Sequence, residues 1–335
     1  AKSLFESKSR QKYNLLFQLL LPIVVHFSKA FEYFYRLQLL SFNPRISMSY
    51  NNTTSSGAPT GVHSFGTASR AFIWAAFFAI MCISIVGNSL VIWVIVAHTK
   101  MRIITNFFLL NLSISDLMVV TLQVVPNVIY TLEQNWKFGL FYCRVSNFMT
   151  TFSISLSVFT FMAIAIERYV VIMHPLRPRP KRLAIIASIA FIWAFSMVTA
   201  APPAIFSELQ VNEKMFTNCN IAAKVFVAYN YVLMTLQYLV PVIVVGIAYI
   251  IIGIRLWTQQ PIGEQTQAQE ETVKAKRKIV LMMITVVVIF ALCWLPYQIS
   301  FFFSNNSAAL FIALYFLAIC STWPNPFIYC KMNNK

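Results

Sequence analysis

Ala165-Ile166-Glu167-Arg168-Tyr169 sets an acid and a base side by side at the end of a long apolar run, and the meaning of that pair decides the fold. From Asn147 to Ala165 there is no charged side chain. Charges that close such a run either lie at a membrane surface or are held by a specific partner. Composition selects the membrane. Hydrophobic residues make up 59% of the 335, charged residues only 11%, and phenylalanine alone occurs 30 times. A soluble domain of this size carries about 25% charge, so this chain lacks the polar surface to dissolve itself.

A span needs about 20 mostly apolar residues. Seven stretches qualify, roughly 70–97, 105–132, 143–173, 183–206, 225–256, 276–303 and 308–330. Hydrocarbon contains no water to satisfy backbone groups, so these runs must be helices. The expected fold is therefore an all-α membrane protein, a seven-transmembrane helix bundle with short loops and no separate soluble domain.

A net charge of +16 invites a nucleic-acid reading. The bases are not gathered on one amphipathic face, however, and no nucleic-acid partner is expected. They sort by loop instead. Lys100 and Arg102, then Arg177, Arg179, Lys181 and Arg182, then Arg255, Lys274, Lys276, Arg277 and Lys278 fall on one side of an alternating topology. The opposite loops hold only scattered Arg70, Lys137, Arg144, Lys214 and Lys224. The positive-inside rule puts the first side in the cytoplasm and the N-terminus outside.

Six cysteines make no disulfide framework. Cys82, Cys293 and Cys320 lie within spans and read as small apolar residues. Cys143 and Cys219 both fall on the outer side, where oxidation is possible, and are expected to pair. Cys330, just inside the last span, is a candidate for palmitoylation.

The segments outside the spans divide the chain. Residues 1–47 combine a basic start with two interrupted apolar runs, contain no Met before Met48, and read as non-native or upstream sequence. Residues 48–69 read as an extracellular tail. It is rich in Ser, Thr and Gly and carries overlapping glycosylation sequons at Asn51 and Asn52. A third, weaker sequon stands at Asn305. Residues 70–330 are the membrane domain and 331–335 the start of a cytoplasmic tail whose remainder is expected beyond.

Inside the spans, the costly residues point to function. Asp116 is the only aspartate in the chain. A carboxylate in hydrocarbon costs about 2.5–3.5 kcal/mol on insertion scales, so it is expected to face the bundle interior with partners. Pro126 should kink the outer half of the second span. Ser153, Ser155 and Ser157 are the small polar residues that bring helices close or bond across them. Span six places Phe290 before Cys293-Trp294-Leu295-Pro296, a hinge point beside large aromatics.

Seven spans carrying Gly87-Asn88, Leu112 to Asp116, Cys143, Glu167-Arg168-Tyr169, Trp193, Pro241, Cys293 to Pro296 and Asn325-Pro326-Phe327-Ile328-Tyr329 in this order form a specific combination. From about Phe72 to Cys330 the chain resembles a rhodopsin-like (class A) G-protein-coupled receptor. Met101 to Asn106, Trp136-Lys137-Phe138-Gly139, His174-Pro175-Leu176, Gln237 to Pro241 and Cys293 to Gln298 look like the neuropeptide group, that of the tachykinin, leucokinin, neuropeptide Y/FF and orexin receptors.

The resemblance implies roles for these positions. Asp116, with Ser157, Ser321 and Asn325 and with Asn88 nearby, matches an allosteric sodium site. Arg168 matches an arginine held by its neighbouring acid, Glu167, in the inactive state, and Tyr169 completes the motif. Tyr249 and Tyr329 match tyrosines that hold the arginine when the receptor is active. Pro241, Val158 and Phe290 match a packing trio that relays ligand contact, and Trp294 sits beneath the pocket. Pro296, Asn325 and Pro326 belong to the same activation machinery.

Helical position assigns Gln123, Asn127, Asn147, Thr150, Gln237, Trp294, Tyr297, Gln298 and Tyr315 to the ligand pocket. Their amides and aromatics suit an amidated peptide end, which needs both donors and acceptors. Glu208 and Glu213 in the outer loop suit a basic peptide.

Departures from the family pattern narrow the reading. Thr150 stands where amine receptors place an aspartate, which argues against a biogenic amine. The absence of lysine between Ala308 and Tyr329 excludes a retinal Schiff base. Lys276 stands where some relatives carry an acid that pairs with the span-three arginine. Pro324 before Asn325-Pro326 is unusual.

The expected function is reception of an extracellular neuropeptide at the plasma membrane. It is transmitted to a heterotrimeric G protein by outward movement of span six, with lipid around the bundle, no enzymatic step and no cofactor beyond the sodium ion. With no acid at Lys276 to supply a second latch, appreciable basal activity is expected. The alternatives are a lipid or small-molecule receptor on this fold, which needs a more apolar pocket mouth, and a transporter or channel. The latter predicts inverted repeats, of which the sequence shows no sign.

Overall fold

The computed structural model describes residues 65–101, 104–176, 180–211, 215–258, 267–300 and 307–327. Asn51, Asn52, Asn305, Glu213, Tyr329, Cys330 and the side chain of Lys276 lie outside the described residues. Residues 65–335 form one compact unit.

Among the described residues of that unit, seven helical segments are long and apolar enough to cross a membrane. In chain order, the first span is α1 (Thr67–Ala97). The second combines α2 (Ile104–Leu122) with α3 (Val124–Glu133). The third is α4 (Gly139–Met173) and the fourth α5 (Arg182–Phe206). The fifth runs from α6 (Ala223–Leu233) through a wide π turn (Met234–Leu239) into α7 (Val240–Thr258). The sixth lies in α8 (Gln267–Ser300), and the seventh begins with α9 (Ala308–Ile319) and continues to Phe327. Span three is the central post. Buried residues make up 72% of its crossing window against 22% for span one, which shows most of its apolar surface outward.

Between spans four and five stands a hairpin that the sequence reading did not anticipate, β1 (Ser207–Val211) paired antiparallel with β2 (Thr217–Ile221). Ser207 faces Ile221 and Leu209 faces Cys219. The expected disulfide joins Cys143 at the start of span three to Cys219 in β2, with the Cα atoms 5.7 Å apart. It straps the hairpin across that end of the bundle.

Proline removes an N–H and so frees the carbonyl one turn earlier. Three of these freed carbonyls are taken by a side chain from another helix. Pro126 frees the Leu122 carbonyl, and the Tyr142 hydroxyl donates to it at 3.0 Å. Pro203 frees that of Thr199, to which the buried Tyr229 hydroxyl donates at 2.8 Å. Pro326 frees that of Thr322, which accepts from the Asn88 amide at 3.2 Å. Span two accordingly breaks at Gln123, before the proline itself. At Gly87, a Cβ would stand 3.0 Å from the Pro326 ring, so any larger residue would require spans one and seven to part by a few tenths of an ångström.

Tyr229→Phe is expected to leave the Thr199 carbonyl buried without its donor. The cost should be about 1–3 kcal/mol, read as a lower unfolding temperature of the solubilised protein. An unchanged temperature would show that the hydroxyl contributes nothing.

Candidate functional site

The bundle carries two polar sites and a layer between them. At the disulfide end, a run of side chains crosses from span two to spans seven and six. Gln123 is fully buried and donates from Nε2 to the Met149 carbonyl at 2.8 Å and to Ser153 Oγ at 3.1 Å. Its Oε1 takes no donor among the described residues. Asn127, one turn along, donates to the Tyr315 hydroxyl at 3.3 Å. Tyr315 packs against Phe77, Phe311 and Tyr297, and Tyr297 meets Trp294 edge to face at 5.7 Å. Trp294 Nε1 then donates to Ser321 Oγ at 3.0 Å. Five of the predicted pocket residues, Gln123, Asn127, Tyr315, Tyr297 and Trp294, thus form one connected series.

The other pocket candidates are placed separately. Asn147 reaches up to the hairpin, donating to Ser207 Oγ at 2.9 Å and toward Cys219 Sγ at 3.4 Å. Thr150 donates to the Ser146 carbonyl of its own helix. Gln298 is buried on span six. Gln237 turns toward span three, with Nε2 on the Thr151 carbonyl at 3.2 Å and on Ser155 Oγ at 2.7 Å. It belongs to a polar seam that also holds Ser155 against Thr199 at 2.9 Å.

Asp116 occupies the middle layer, buried, with the Asn325 amide donating to Oδ2 at 2.8 Å. Ser115 beside it bonds Ser157 Oγ at 2.8 Å and the Ser153 carbonyl at 2.6 Å. Ser84 bonds Thr322 Oγ1 at 2.8 Å, and Asn88 Oδ1 is buried without a donor among the described residues. The serines at 153, 155 and 157 all bond across helices, as their spacing suggested. Below Trp294, Phe290 packs edge-on against Phe161 at 5.1 Å. Val158, Pro241 and Phe290 line one small cavity of about 20 Å³, together with Phe161, Gln237 and Tyr238.

At the opposite end, Arg168 Nε lies 2.9 Å from Glu167 Oε2, with both side chains largely buried. Tyr249 is buried in the same core and Tyr169 packs against it. Arg277 was not singled out from sequence. Its guanidinium on span six donates through Nε (3.0 Å) and Nη2 to the Leu256 carbonyl in the last turn of span five. That carbonyl is one of the helix-end acceptors that no backbone donor serves, and a cation there also suits the helix dipole. The inner end of span six is therefore tied to span five, a second latch that the sequence reading lacked. A rule that basic residues cap helix C-termini would have flagged Arg277, although not its partner helix.

Residues 87–329, well over half the chain, match the family described as 7 transmembrane receptor (rhodopsin family). The chain is 39% identical over 285 residues to a tachykinin-like peptides receptor of Drosophila melanogaster, an alignment covering 78% of this chain and 56% of the relative. It is 36% identical over 279 residues to the human neuromedin-K receptor, covering 79% of this chain and 60% of the relative. With the human substance-P receptor the identity is 34%, over 78% of this chain and 68% of the relative. The chain thus spans between about half and two thirds of the length of the relatives it matches.

Proposed function

Because this chain belongs to the rhodopsin family of seven-transmembrane receptors, we propose that it is a plasma-membrane receptor for an extracellular neuropeptide, coupled to a heterotrimeric G protein. The names of its relatives make tachykinin-type peptides the first candidates. In this reading the disulfide end faces outside, the Glu167–Arg168 end faces the cytoplasm, and no bond is made or broken by the protein.

One observation carries the reading, the unbroken series Asn127, Tyr315, Tyr297, Trp294, Ser321 that leads from the disulfide end toward the Asp116–Asn325 layer. A peptide that seats against Tyr315 and Tyr297 bears directly on Trp294 and hence on span six at Pro296. It shifts the equilibrium only by the difference between its affinities for the two states. When span six moves outward, Arg168 leaves Glu167 and meets the G protein in the opened cavity.

The residues about Asp116 suit a monovalent cation. One carboxylate accompanied by hydroxyl and amide oxygens is a hard donor set, and the unfilled Asn88 Oδ1 leaves an acceptor free in the same layer. Sodium there would favour the inactive state. Raising sodium is expected to weaken agonist binding to the native protein and not to Asp116→Ala, and equal sensitivity in both would refute the site.

The reading as a whole is tested by a panel of amidated neuropeptides, substance P among them, applied to cells displaying the protein. Calcium and cyclic-AMP responses are recorded. A peptide that elicits a response absent from control cells is the expected result, and silence across the panel with normal surface expression counts against it.

A further inference from the structure

The hairpin between spans four and five has two edges, and the hydrogen-bond pattern shows which backbone groups each presents. Antiparallel pairs alternate between residues that bond each other and residues whose N–H and C=O point away from the partner. Ala222 N–H bonds the Phe206 carbonyl at 2.9 Å, so the bonded pairs are Phe206–Ala222, Glu208–Asn220 and Gln210–Asn218. Ser207, Leu209 and Val211 then point outward on β1, as do Thr217, Cys219 and Ile221 on β2.

Three contacts agree with this parity. The Ser207 carbonyl is taken by Arg144 Nε at 3.3 Å. The Thr217 carbonyl accepts from Trp136 N–H at 2.7 Å, and Thr217 N–H donates to Asn135 Oδ1 at 3.0 Å.

The two edges look in different directions. That of β1 runs beside Arg144. The edge of β2 looks toward span two. Its Thr217 is docked on Asn135 and Trp136, and Tyr130 donates to Asn218 Oδ1 at 3.3 Å. Tyr130 lies one turn from Asn127, at the head of the series that leads down to Trp294. Asn135 and Trp136 already lie against β2 as the start of a third strand does, and they stop at Thr217. Beyond them, Cys219 and Ile221 are half-buried and their outward N–H and C=O groups meet no partner among the described residues. An unpaired edge of this kind is a template for an added strand.

We propose that the β2 edge at Cys219 and Ile221 is a backbone-recognition subsite, on which an extended stretch of the peptide ligand adds as a third strand while its end descends toward Asn127 and Tyr315. The inference rests on the peptide-receptor reading above and adds to it the conformation of the bound segment. Strand addition draws affinity from main-chain bonds and uses alternate side chains for specificity. This edge therefore tolerates sequence variation at every second ligand residue. Two residues with outward N–H and C=O groups are enough to fix the register of a short peptide.

The test is binding of a radiolabelled amidated tachykinin-type peptide to membranes carrying the protein, with a scan of single backbone N-methylations along the peptide. Only every second amide of an added strand faces the edge. Affinity should therefore fall by about three- to tenfold or more at alternate positions over the paired stretch and little between them.

On the receptor, Ile221→Pro removes an outward N–H without removing a ladder bond, which an edge strand tolerates. It should weaken the unmodified peptide by about three- to tenfold, and N-methylation of the ligand residue opposite it, which removes the separate bond to the retained carbonyl at position 221, should lower affinity by a further step of similar size. Ile221→Val, and Leu209→Pro on the other edge, should bind as the native protein does. Should Ile221→Pro fail to reach the surface, the scan alone decides. A flat scan, a periodicity of three to four, or equal loss from Leu209→Pro would overturn the edge. Failure of every peptide in the panel to bind would overturn the receptor reading and this subsite with it.

Discussion

Arg168→Ala abolishes nucleotide exchange on the G protein, to about two orders of magnitude below the native level, and leaves peptide affinity within a few fold. This result is expected because Arg168 lies at the opposite end of the bundle from the disulfide and the proposed peptide site, and makes its ion pair with Glu167 in the same helix. Two measurements check it, agonist-stimulated nucleotide exchange in membranes and saturation binding on the same preparation. Retained exchange would remove Arg168 from the switch. A parallel loss of binding would mean that the substitution unfolds the inner core rather than uncoupling it. Glu167→Gln supplies the opposite sign: with its partner neutralised, the guanidinium is easier to release and basal exchange should rise.

The second large effect concerns the disulfide. Replacing Cys143 and Cys219 together by serine opens a loop of 76 residues. A fully flexible loop of that length would lose about 4.5 kcal/mol on the chain-entropy estimate. Two of the spans within this loop stay helical in the membrane when packing is lost, so about 2–4 kcal/mol is the expected cost. The solubilised protein should unfold several degrees lower, and peptide affinity should fall because the hairpin is then held by hydrogen bonds alone, to Tyr130, Asn135, Trp136, Arg144 and Asn147. An unchanged unfolding temperature with unchanged affinity would show that those bonds alone hold it.

The features legible in the sequence were those for which a membrane makes the wrong residue expensive. Seven apolar runs, a single buried aspartate and an acid–base pair at the end of a charge-free stretch each carry a steep free-energy cost outside their observed settings. The spans and the interior setting of Asp116 therefore followed from residue type, whereas Asn325 beside Asp116 and the holding of Arg168 by Glu167 were implied by the family resemblance. The pairing of Cys143 with Cys219 followed from their shared side.

Features set by backbone groups were not legible. Arg277 binds a carbonyl, which any residue supplies, so nothing at Leu256 announced it. Gln237 was assigned to the ligand pocket by regular helical position. The wide turn Met234–Leu239 holds an extra residue and shifts the face that each side chain presents, turning Gln237 to Thr151 and Ser155. The hairpin did leave a trace. Leu209 and Val211, then Cys219 and Ile221, recur at every second position, a strand period in a stretch too short to stand out beside seven helices.

The proline carbonyls have a mechanical consequence. Spans two, four and seven are each bent at a joint that a neighbour's hydroxyl or amide pins in place. Span six also contains a proline, Pro296, but the Leu292 carbonyl it frees receives no side-chain donor among the described residues. Pro202 in span four and Pro241 in span five also free carbonyls that meet no side-chain donor among the described residues, so the joint in span six is one of several left unpinned. A tyrosine or asparagine engineered onto a neighbouring helix to reach Leu292 would pin the span-six joint as those of spans two, four and seven are pinned.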